Sequence, residues 1–304
     1  MADENDRTPH QQAESYFQAT QLLTRELEQK FQNIKGVLQK DERETRLEQS
    51  FVRCVAWMQS LSLLSGARHI QAMVAAERAL IEITIDVLFL HHDTTLERTE
   101  RQRVWEISAK LKSCERAVSF FVESHNPIPS EYAVQETFIN NRKASINQER
   151  VRLGWVKRGT NNPRHPDRWT DNDLSVDVKE ADLLLSTHSP RKLGGVDIKS
   201  ELGVSLEQIY RTEYTRMNWL VHGSGLLFVI DSTPDQISLL ARITLGRCID
   251  LSFLCLKVLL TDFRIAEALE NFDERWRGLR LQILDVASGE ISLRLQEEID
   301  GSSS

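Results

Sequence analysis

Arg216 and His222 are the residues of this sequence whose types and spacing are best suited to chemistry. They lie in the stretch "IYRTEYTRMNWLVHGSG", separated by five residues. Histidine titrates near neutral pH and can take a proton from a hydroxyl group. Arginine offers a planar set of N–H donors to a phosphate and to the charge that develops on it during a reaction. Such a pair could act on a phosphodiester without a metal ion, so no cofactor is expected.

The helix that carries this pair is predicted to begin at Ser205, which forms a capping-box pattern with Gln208, and to stop at Gly223. On a regular α-helix, residues four, seven and eleven positions apart share one face. The polar residues at that spacing are Arg211, Thr215, Asn218 and His222. We therefore expect a polar stripe along this helix, beside Arg216.

A second polar stripe lies in a helix predicted over residues 68–91. This helix is apolar nearly all round, so it should pack in the core. Arg78, Glu82 and Asp86 follow one another at intervals of four residues on one of its faces. Because buried charges need partners, two interpretations are open. The three side chains form an internally paired seam, or they belong to an active site.

Helix-breaking residues are scarce, with 13 Gly and 7 Pro in 304 residues. Apolar residues recur at helical spacing, and no cluster of β-branched residues indicates a sheet. The sequence therefore predicts an all-α, multi-helix bundle with long antiparallel helices. Its expected parts are a disordered N-terminus over residues 1–13, a helical extension over 14–47, the bundle domain over 48–280 and a short tail over 281–304.

The net charge of −7 and the pI of about 5.7 argue against a protein that holds long nucleic acids by bulk electrostatics. The charge is unevenly distributed, however. Residues 142–168 contain eight Lys or Arg residues and two acidic ones. This basic segment predicts either a local basic surface or an ordinary solvated helix face that runs into a loop.

No apolar run is long enough to span a bilayer, and the N-terminal segment has no apolar signal core. We therefore expect a cytoplasmic protein without membrane association. The cysteines form no C-x-x-C pair and are expected to be buried free thiols. His91, His92 and Asp93 adjoin one another but have no further ligand group, so no metal site is predicted.

The R-x(4–6)-H spacing of Arg216 and His222 resembles the signature of the HEPN superfamily. These are helical-bundle proteins, and many are metal-independent ribonucleases of toxin–antitoxin, phage-defence and RNA-processing systems. The resemblance implies a HEPN-like core and a homodimer in which two motifs meet. It also implies that His222 is the general base and Arg216 the phosphate clamp. Asn218 lies two residues after the arginine rather than directly after it, which departs from the family pattern.

A broader resemblance covers residues 50–265. Arg78 and Glu82 give an early helix with an R-x3-E pattern, and Tyr210, Tyr214 and His222 lie in a late Tyr-rich helix ending in His-Gly. This pattern looks like an uncharacterised, mostly bacterial family of helical proteins that is itself HEPN-like. The resemblance implies that the early polar stripe faces the late one.

Two functions are therefore open. The first is an endoribonuclease of the toxin or phage-defence class that acts on RNA and has an antitoxin or another protein partner. Its catalytic residues would be His222 and Arg216, and its supporting residues Asn218, Arg211, Tyr214, Arg78, Glu82 and Asp86. The alternative is a non-catalytic helical module that binds a partner protein or a nucleotide, with the stripes as buried hydrogen-bond networks that fix the register of the bundle.

Overall fold

The computed structural model describes residues 7–35, 41–124, 126–186, 204–221, 232–263 and 272–288. Helices account for most of these residues. Within them, β pairing is confined to an isolated bridge between Val156 and Pro163. The prediction of an all-α, multi-helix bundle is confirmed.

The α-helices of the described residues are, in chain order, α1 (Pro9–Lys35), α2 (Glu42–Ser62), α3 (Ile70–His91), α4 (Glu97–Glu123), α5 (Ala133–Arg152), α6 (Leu174–Ser186), α7 (Leu206–Ile209), α8 (Thr215–Val221), α9 (Pro234–Asp262) and α10 (Phe272–Ser288). A π-helix over Tyr210–Tyr214 joins α7 to α8. Short 3-10 turns over Ala67–His69 and Ser130–Tyr132 precede α3 and α5.

The described residues form two compact units. Unit 1 comprises those within 1–92 and 178–304, and unit 2 those within 93–177. Within unit 1, α3 packs against α2 and α9, while α1 packs against α2, α9 and α10. Within unit 2, α4 and α5 pack against each other as a helical hairpin.

Helices α3 and α9 form the centre of unit 1 because both are apolar nearly all round. Leu80, Leu88 and Phe89 on α3 and Phe253 on α9 are fully buried or nearly so. Burying a side chain of this size stabilises a fold by about 1.5–3 kcal/mol. The prediction that residues 68–91 form a central helix is therefore confirmed.

Both ends of the described chain are helical. Helix α1 begins at Pro9, within the segment predicted to be disordered, because Thr8 caps it. The Thr8 hydroxyl accepts a hydrogen bond from the Gln11 amide at 3.3 Å, and the Gln11 side chain accepts one from the Thr8 amide at 3.0 Å. Helix α10 continues to Ser288, past the predicted start of the tail, and Val286 on it is buried.

Residue 246 is a glycine in the interior of α9, where glycine costs about 1 kcal/mol relative to alanine. The ring of Tyr16 on α1 lies directly against it. A Cβ atom at residue 246 would stand 3.0 Å from Tyr16 Cε1. The glycine therefore permits the close approach of α1 to α9.

A buried ionic network joins the start of α2 to the ends of α3 and α9. Arg43 Nη1 donates to Asp262 Oδ1 at 3.0 Å, and His91 Nδ1 lies 2.7 Å from Asp262 Oδ2. All three side chains are almost completely excluded from solvent. The Asp262 carboxylate therefore links three helices of unit 1.

The cysteines Cys54, Cys114, Cys248 and Cys255 are buried free thiols, as the sequence predicted. None of the described helices combines the length and the apolar character needed to cross a lipid bilayer.

Candidate functional site

The predicted catalytic pair falls partly outside the described residues. His222 lies beyond the end of α8 at Val221, in the range 222–231, which the structure does not describe. Arg216 lies within α8, and Arg211 and Tyr214 lie in the π-helix that precedes it. The site is therefore built below from the residues that surround Arg216.

Two caps fix the start of this helical segment. The Ser205 hydroxyl accepts a hydrogen bond from the Gln208 amide at 3.0 Å, which confirms the predicted N-cap. The Asp182 carboxylate of α6 accepts the amide protons of Leu206 and Glu207 at 2.7 and 2.8 Å. A carboxylate at this position also favours the helix dipole. Together these contacts anchor α7 within unit 1.

The π-helix breaks the polar stripe that the sequence predicted. A π-turn has one more residue than an α-turn, so residues on its two sides no longer follow α-helical spacing. Arg211 is exposed and pairs with Glu207 at 2.6 Å, whereas the side-chain oxygen of Asn218 is buried. The expectation that both residues support Arg216 from one face assumed a regular α-helix. The structure does not bring Arg211 into contact with the other predicted site residues described here.

Arg78, Glu82 and Tyr214 meet where α3 faces the π-helix. The Tyr214 hydroxyl donates to Glu82 Oε1 at 3.0 Å, and Arg78 Nε lies 3.5 Å from the same oxygen. The Arg78 guanidinium also lies 5.2 Å from the centre of the Tyr214 ring. Tyr214, which is not a member of the predicted late stripe, therefore links α3 to the π-helix.

Burial raises the pKa of Tyr214 to about 12, and the neighbouring Glu82 carboxylate adds to this shift, while Arg78 opposes it. The phenol consequently keeps its proton at neutral pH and acts as a hydrogen-bond donor to Glu82. This group is a structural link between α3 and the π-helix.

Asp86 does not extend the Arg78–Glu82 pair into a three-residue ladder. Its side chain is buried and lies 3.6 Å from Arg53 Nη1 of α2. Helix α2 supplies this cation because α2 packs on the α3 face that Asp86 occupies. The internally paired seam predicted for α3 is therefore correct for Arg78 and Glu82, but Asp86 is neutralised from another helix.

A second polar cluster, which the sequence did not reveal, surrounds Arg216. We call it the Glu–Arg cluster, and its members are Glu77, Glu213, Arg216 and Arg247. Arg247 Nη2 donates to Glu213 Oε1 at 3.3 Å, and Arg216 Nη2 lies 3.8 Å from Glu213 Oε2. Glu213 therefore lies between two guanidinium groups, contributed by α8 and α9.

Glu77 is the unusual member of the Glu–Arg cluster. Its side chain is completely buried, and neither carboxyl oxygen has a hydrogen-bond donor among the described residues. Burial raises the pKa of Glu77 well above its ordinary value, and the neighbouring carboxyl group of Glu213 raises it further. Arg216 and Arg247 act in the opposite direction.

Arg216 retains hydrogen-bonding capacity that its neighbours do not use. Its Nε and Nη2 atoms are buried and have no hydrogen-bond acceptor in the described part of the chain, although Glu213 lies within ion-pair distance. The side chain as a whole is 34% exposed. The side-chain oxygen of Asn218, two residues further on, is likewise buried without a partner among the described groups. A guanidinium with N–H donors left over is a candidate for binding an anion.

The sequence missed Glu77 and Glu213 for identifiable reasons. Glu77 was one of several charges in an apolar stretch, and it does not belong to the four-residue spacing of Arg78, Glu82 and Asp86. Glu213 lies in the π-helix, where helical spacing gives the wrong face. The residues around Glu77 show no spacing or motif from which its partner in the fold could have been predicted.

The basic segment over residues 142–168 is largely neutralised within unit 2. Arg150 is buried and donates to Ser108 Oγ at 3.1 Å. Four further cations pair with acidic side chains: Lys143 with Glu115, Arg152 with Glu100, Arg164 with Asp171 and Arg168 with Asp177. These acidic partners all lie outside the segment, so the sequence count overstated its charge. The exposed Arg142, Lys157 and Arg158 are the exceptions among the eight.

Among the described residues, no three His, Cys, Asp or Glu side chains converge to form a group that could hold a metal ion. Comparison with known proteins gives no further guide to the chemistry. No family model, no curated protein and no solved structure matches this chain.

Proposed function

We propose that this chain is a metal-independent endoribonuclease of the HEPN type, with Arg216 as the phosphate clamp and His222 as the general base. The observation that supports this role is the state of Arg216. Two of its buried nitrogen atoms have no hydrogen-bond acceptor among the described residues, and the side chain as a whole is 34% exposed. The helix that carries Arg216 also leads directly to His222 in the sequence.

The reaction requires only these two side-chain types. His222 takes the proton of an RNA 2′-hydroxyl, and the resulting oxygen attacks the adjacent phosphorus. The bond from phosphorus to the 5′-oxygen breaks, which leaves a 2′,3′-cyclic phosphate and a 5′-hydroxyl that receives a proton from the protonated histidine or from water. The Arg216 guanidinium compensates the negative charge that builds up on the phosphate oxygens. Glu213 of the Glu–Arg cluster lies within ion-pair distance of this guanidinium.

The proposal includes the biological setting that the HEPN resemblance implies. The active form is a homodimer in which two Arg216–His222 pairs meet, and the enzyme belongs to the toxin or phage-defence class with a protein partner that restrains it. Sedimentation velocity of the purified chain tests the dimer. A monomer at all concentrations at which RNA is cleaved would contradict the paired site.

The central experiment is RNA cleavage by the purified full chain in EDTA. We expect the wild type to cut single-stranded RNA, and we expect His222→Ala and Arg216→Ala to lose at least about 100-fold in rate, as removal of a general base or of one charge-stabilising group does. Cleavage products should carry a 2′,3′-cyclic phosphate. Inactive wild-type protein on structured and unstructured RNA would exclude the proposal.

Matched control variants separate this effect from a general loss of charge. Arg68 and His69 are exposed neighbours before α3, away from the Glu–Arg cluster in sequence and without a shared contact. Arg68→Ala and His69→Ala remove the same side-chain types from the surface of unit 1 and should retain wild-type activity. Equal cleavage by wild type and by His222→Ala would identify a contaminating nuclease.

The alternative is a non-catalytic module that binds a partner protein or a nucleotide. One observation favours it: the arginines of the Glu–Arg cluster face carboxylates of the same chain, as a network that fixes helix register does. Binding of a labelled RNA or nucleotide without any turnover, abolished by Arg216→Ala, would favour this alternative over the nuclease.

A further inference from the structure

We propose that Glu77 and Glu213 share one proton and that, through Glu213, this pair holds the guanidinium of Arg216 in place. Glu77 and Glu213 are positioning residues in this scheme. The shared proton does not depend on the proposed nuclease function, whereas the part that concerns Arg216 and phosphate rests on it. The argument begins from the isolation of the Glu77 carboxyl group.

Glu77 has no donor to satisfy it. Its side chain is completely buried, and none of the N–H or O–H groups of the described residues donates to either of its oxygens. An ionised carboxylate in such a place costs several kcal/mol, and proteins avoid that cost by neutralising the group. Protonation of this carboxyl group is the direct way to do so.

Among neighbouring side chains, Glu213 acts most strongly on the Glu77 carboxyl group. Helix α8, which follows Glu213 and Tyr214 directly, packs against α3, the helix that carries Glu77. Two ionised carboxylates cannot hydrogen-bond to each other, because neither has a hydrogen atom to donate. Once Glu77 carries a proton, its O–H can donate to Glu213. The buried Oε2 atom of Glu213, which lacks a donor in the described part of the molecule, is an available acceptor. One proton therefore satisfies both groups.

The charges around the pair favour the same state. Glu213 lies within ion-pair distance of the guanidinium groups of both Arg216 and Arg247, whereas none of the described ion pairs includes Glu77. The negative charge is therefore best placed on Glu213 and the proton on Glu77.

Among the described residues, the charge of Glu77 also acts on the thiol of Cys248 on α9. Burial raises the pKa of Cys248 well above its ordinary value, and the charge of Glu77 adds to this. The thiol is therefore neutral near pH 7 and contributes no competing charge. The proton of the cluster belongs to the two carboxyl groups.

The position of Arg216 follows from the protonated pair. With Glu77 neutral, Glu213 remains the carboxylate between Arg247 Nη2, at 3.3 Å, and Arg216 Nη2, at 3.8 Å. Loss of the shared proton would leave two adjacent negative charges, which repel each other and draw both guanidiniums inward. The Arg216 guanidinium is then less available to bind a phosphate. Phosphate affinity should therefore fall as the pH rises.

The first test detects the proton itself, without RNA. The infrared spectrum of the full-length wild-type protein at pH 7 should contain the carbonyl band of a protonated carboxyl group. The difference spectrum between the wild type and Glu77→Gln should show that the variant lacks this band. The exposed Glu136→Gln serves as the control and should retain the band. Absence of the band in the wild type, or its persistence in both Glu77→Gln and Glu213→Gln, would overturn the proposal.

The second test uses stability as a function of pH. The folded state holds a proton that the unfolded carboxyl, with an ordinary pKa of 4.5, has released. This stabilisation is complete below about pH 4.5 and is lost as the pH rises through the folded pKa. From pH 5 upward, the unfolding equilibrium constant of the wild type should rise up to tenfold per pH unit relative to that of Glu77→Gln. Parallel pH profiles for the two proteins would contradict a shared proton.

The third test connects the pair to Arg216. A fluorescent 2′-O-methyl RNA oligonucleotide, which cannot be cleaved, is titrated with the wild type, Glu77→Gln and Arg216→Ala below and above the pH at which the carbonyl band of the wild type disappears. The wild type should lose several-fold more affinity than Glu77→Gln across this transition, and Arg216→Ala should bind weakly on both sides of it. Identical pH dependence in the wild type and Glu77→Gln would refute the positioning of Arg216. If the protein does not cleave RNA although the infrared band of the shared proton is present, only the proposed nuclease function is refuted.

Discussion

Asp262 is a buried charged residue that links three helices of unit 1. Burial alone would raise its pKa, but the hydrogen bonds and charges of His91 and Arg43 outweigh that effect and hold the pKa below its ordinary value. The carboxylate therefore stays ionised while it is almost completely buried. Removing one partner from such a network leaves the others without compensation, which costs more than an exposed ion pair.

The first prediction concerns Asp262→Asn. We expect this change to lower the free energy of unfolding at pH 7 by about 3–5 kcal/mol, since it leaves Arg43 buried without its carboxylate. A lowered folded pKa gives stability that is present above the unfolded value of 3.8 and is lost as the pH falls through the folded pKa. The difference in the free energy of unfolding between variant and wild type should therefore become smaller at lower pH. Urea unfolding at pH 7 and pH 3 measures this difference.

The control for Asp262→Asn is Asp235→Asn, an exposed residue in the first turn of the same helix. It loses only a favourable interaction with the helix dipole and should cost about 1 kcal/mol or less. An Asp262→Asn variant that is no less stable than Asp235→Asn would show that the buried network is dispensable.

At the scale of elements, the π-helix over Tyr210–Tyr214 lies between two buried parts of one helical segment. Leu206 and Ile209 before it and Met217 and Leu220 after it are all completely buried. The π-turn between them contains one residue more than an α-turn does. Tyr214 at its end donates to Glu82, and Arg216 beyond it lies within ion-pair distance of Glu213.

The second prediction is that deleting Thr212 converts the π-turn into an ordinary α-turn. A π-turn contains one residue more than an α-turn, so the parts before and after it can keep their faces when that residue is removed. The Leu206 side and the Met217 side should therefore both stay in the core, and the free energy of unfolding should change by about 1 kcal/mol or less. Circular dichroism with urea measures the helix content and the stability.

Thr212→Ala is the matched control for this deletion, because it keeps the chain length. The exposed hydroxyl of Thr212 donates only to the Gln208 carbonyl, so its loss should change stability by about 0.5 kcal/mol or less. A deletion variant less stable than Thr212→Ala by about 2 kcal/mol or more would show that buried side chains have left the core.

The success and failure of the sequence predictions also depend on how residues are spaced along the helices. The fold was predictable because apolar spacing and caps such as Thr233 with Gln236 act locally, and the structure contains that capping box. The site was predictable where it followed α-helical spacing, as Arg78 and Glu82 do. Contacts across a π-turn, and pairs such as Glu77 with Glu213 that join distant parts of the chain, have no local pattern.

At the scale of the whole molecule, the two units differ in how much they bury. Unit 1 contains the apolar helices α3 and α9, whereas α5 of unit 2 buries only Ile146 and Arg150 along its length. In the outer half of the α4–α5 hairpin, residues 116–124 and 126–145, every described side chain is at least partly exposed. Such a segment relies on local helix stability and on contacts between two helices.

The third prediction concerns hydrogen exchange in this hairpin. Amides in the outer half should exchange at least about tenfold faster than those of residues 99–114 and 146–152, because few buried contacts oppose local opening. Peptide-resolved deuterium exchange of the full chain at pH 7 measures this difference. Uniform protection along α4 and α5 would indicate a partner surface on the outer half, such as a second copy of the chain.

The contact between Gly246 and Tyr16 has a consequence for recognising this fold elsewhere. The ring of Tyr16 fills the space that a side chain at residue 246 would need, so each residue restricts the other. In a distant sequence with the same bundle, a glycine in the last long apolar helix should occur together with an aromatic residue near the start of the first helix. This covariation provides a search criterion that survives when overall identity has been lost.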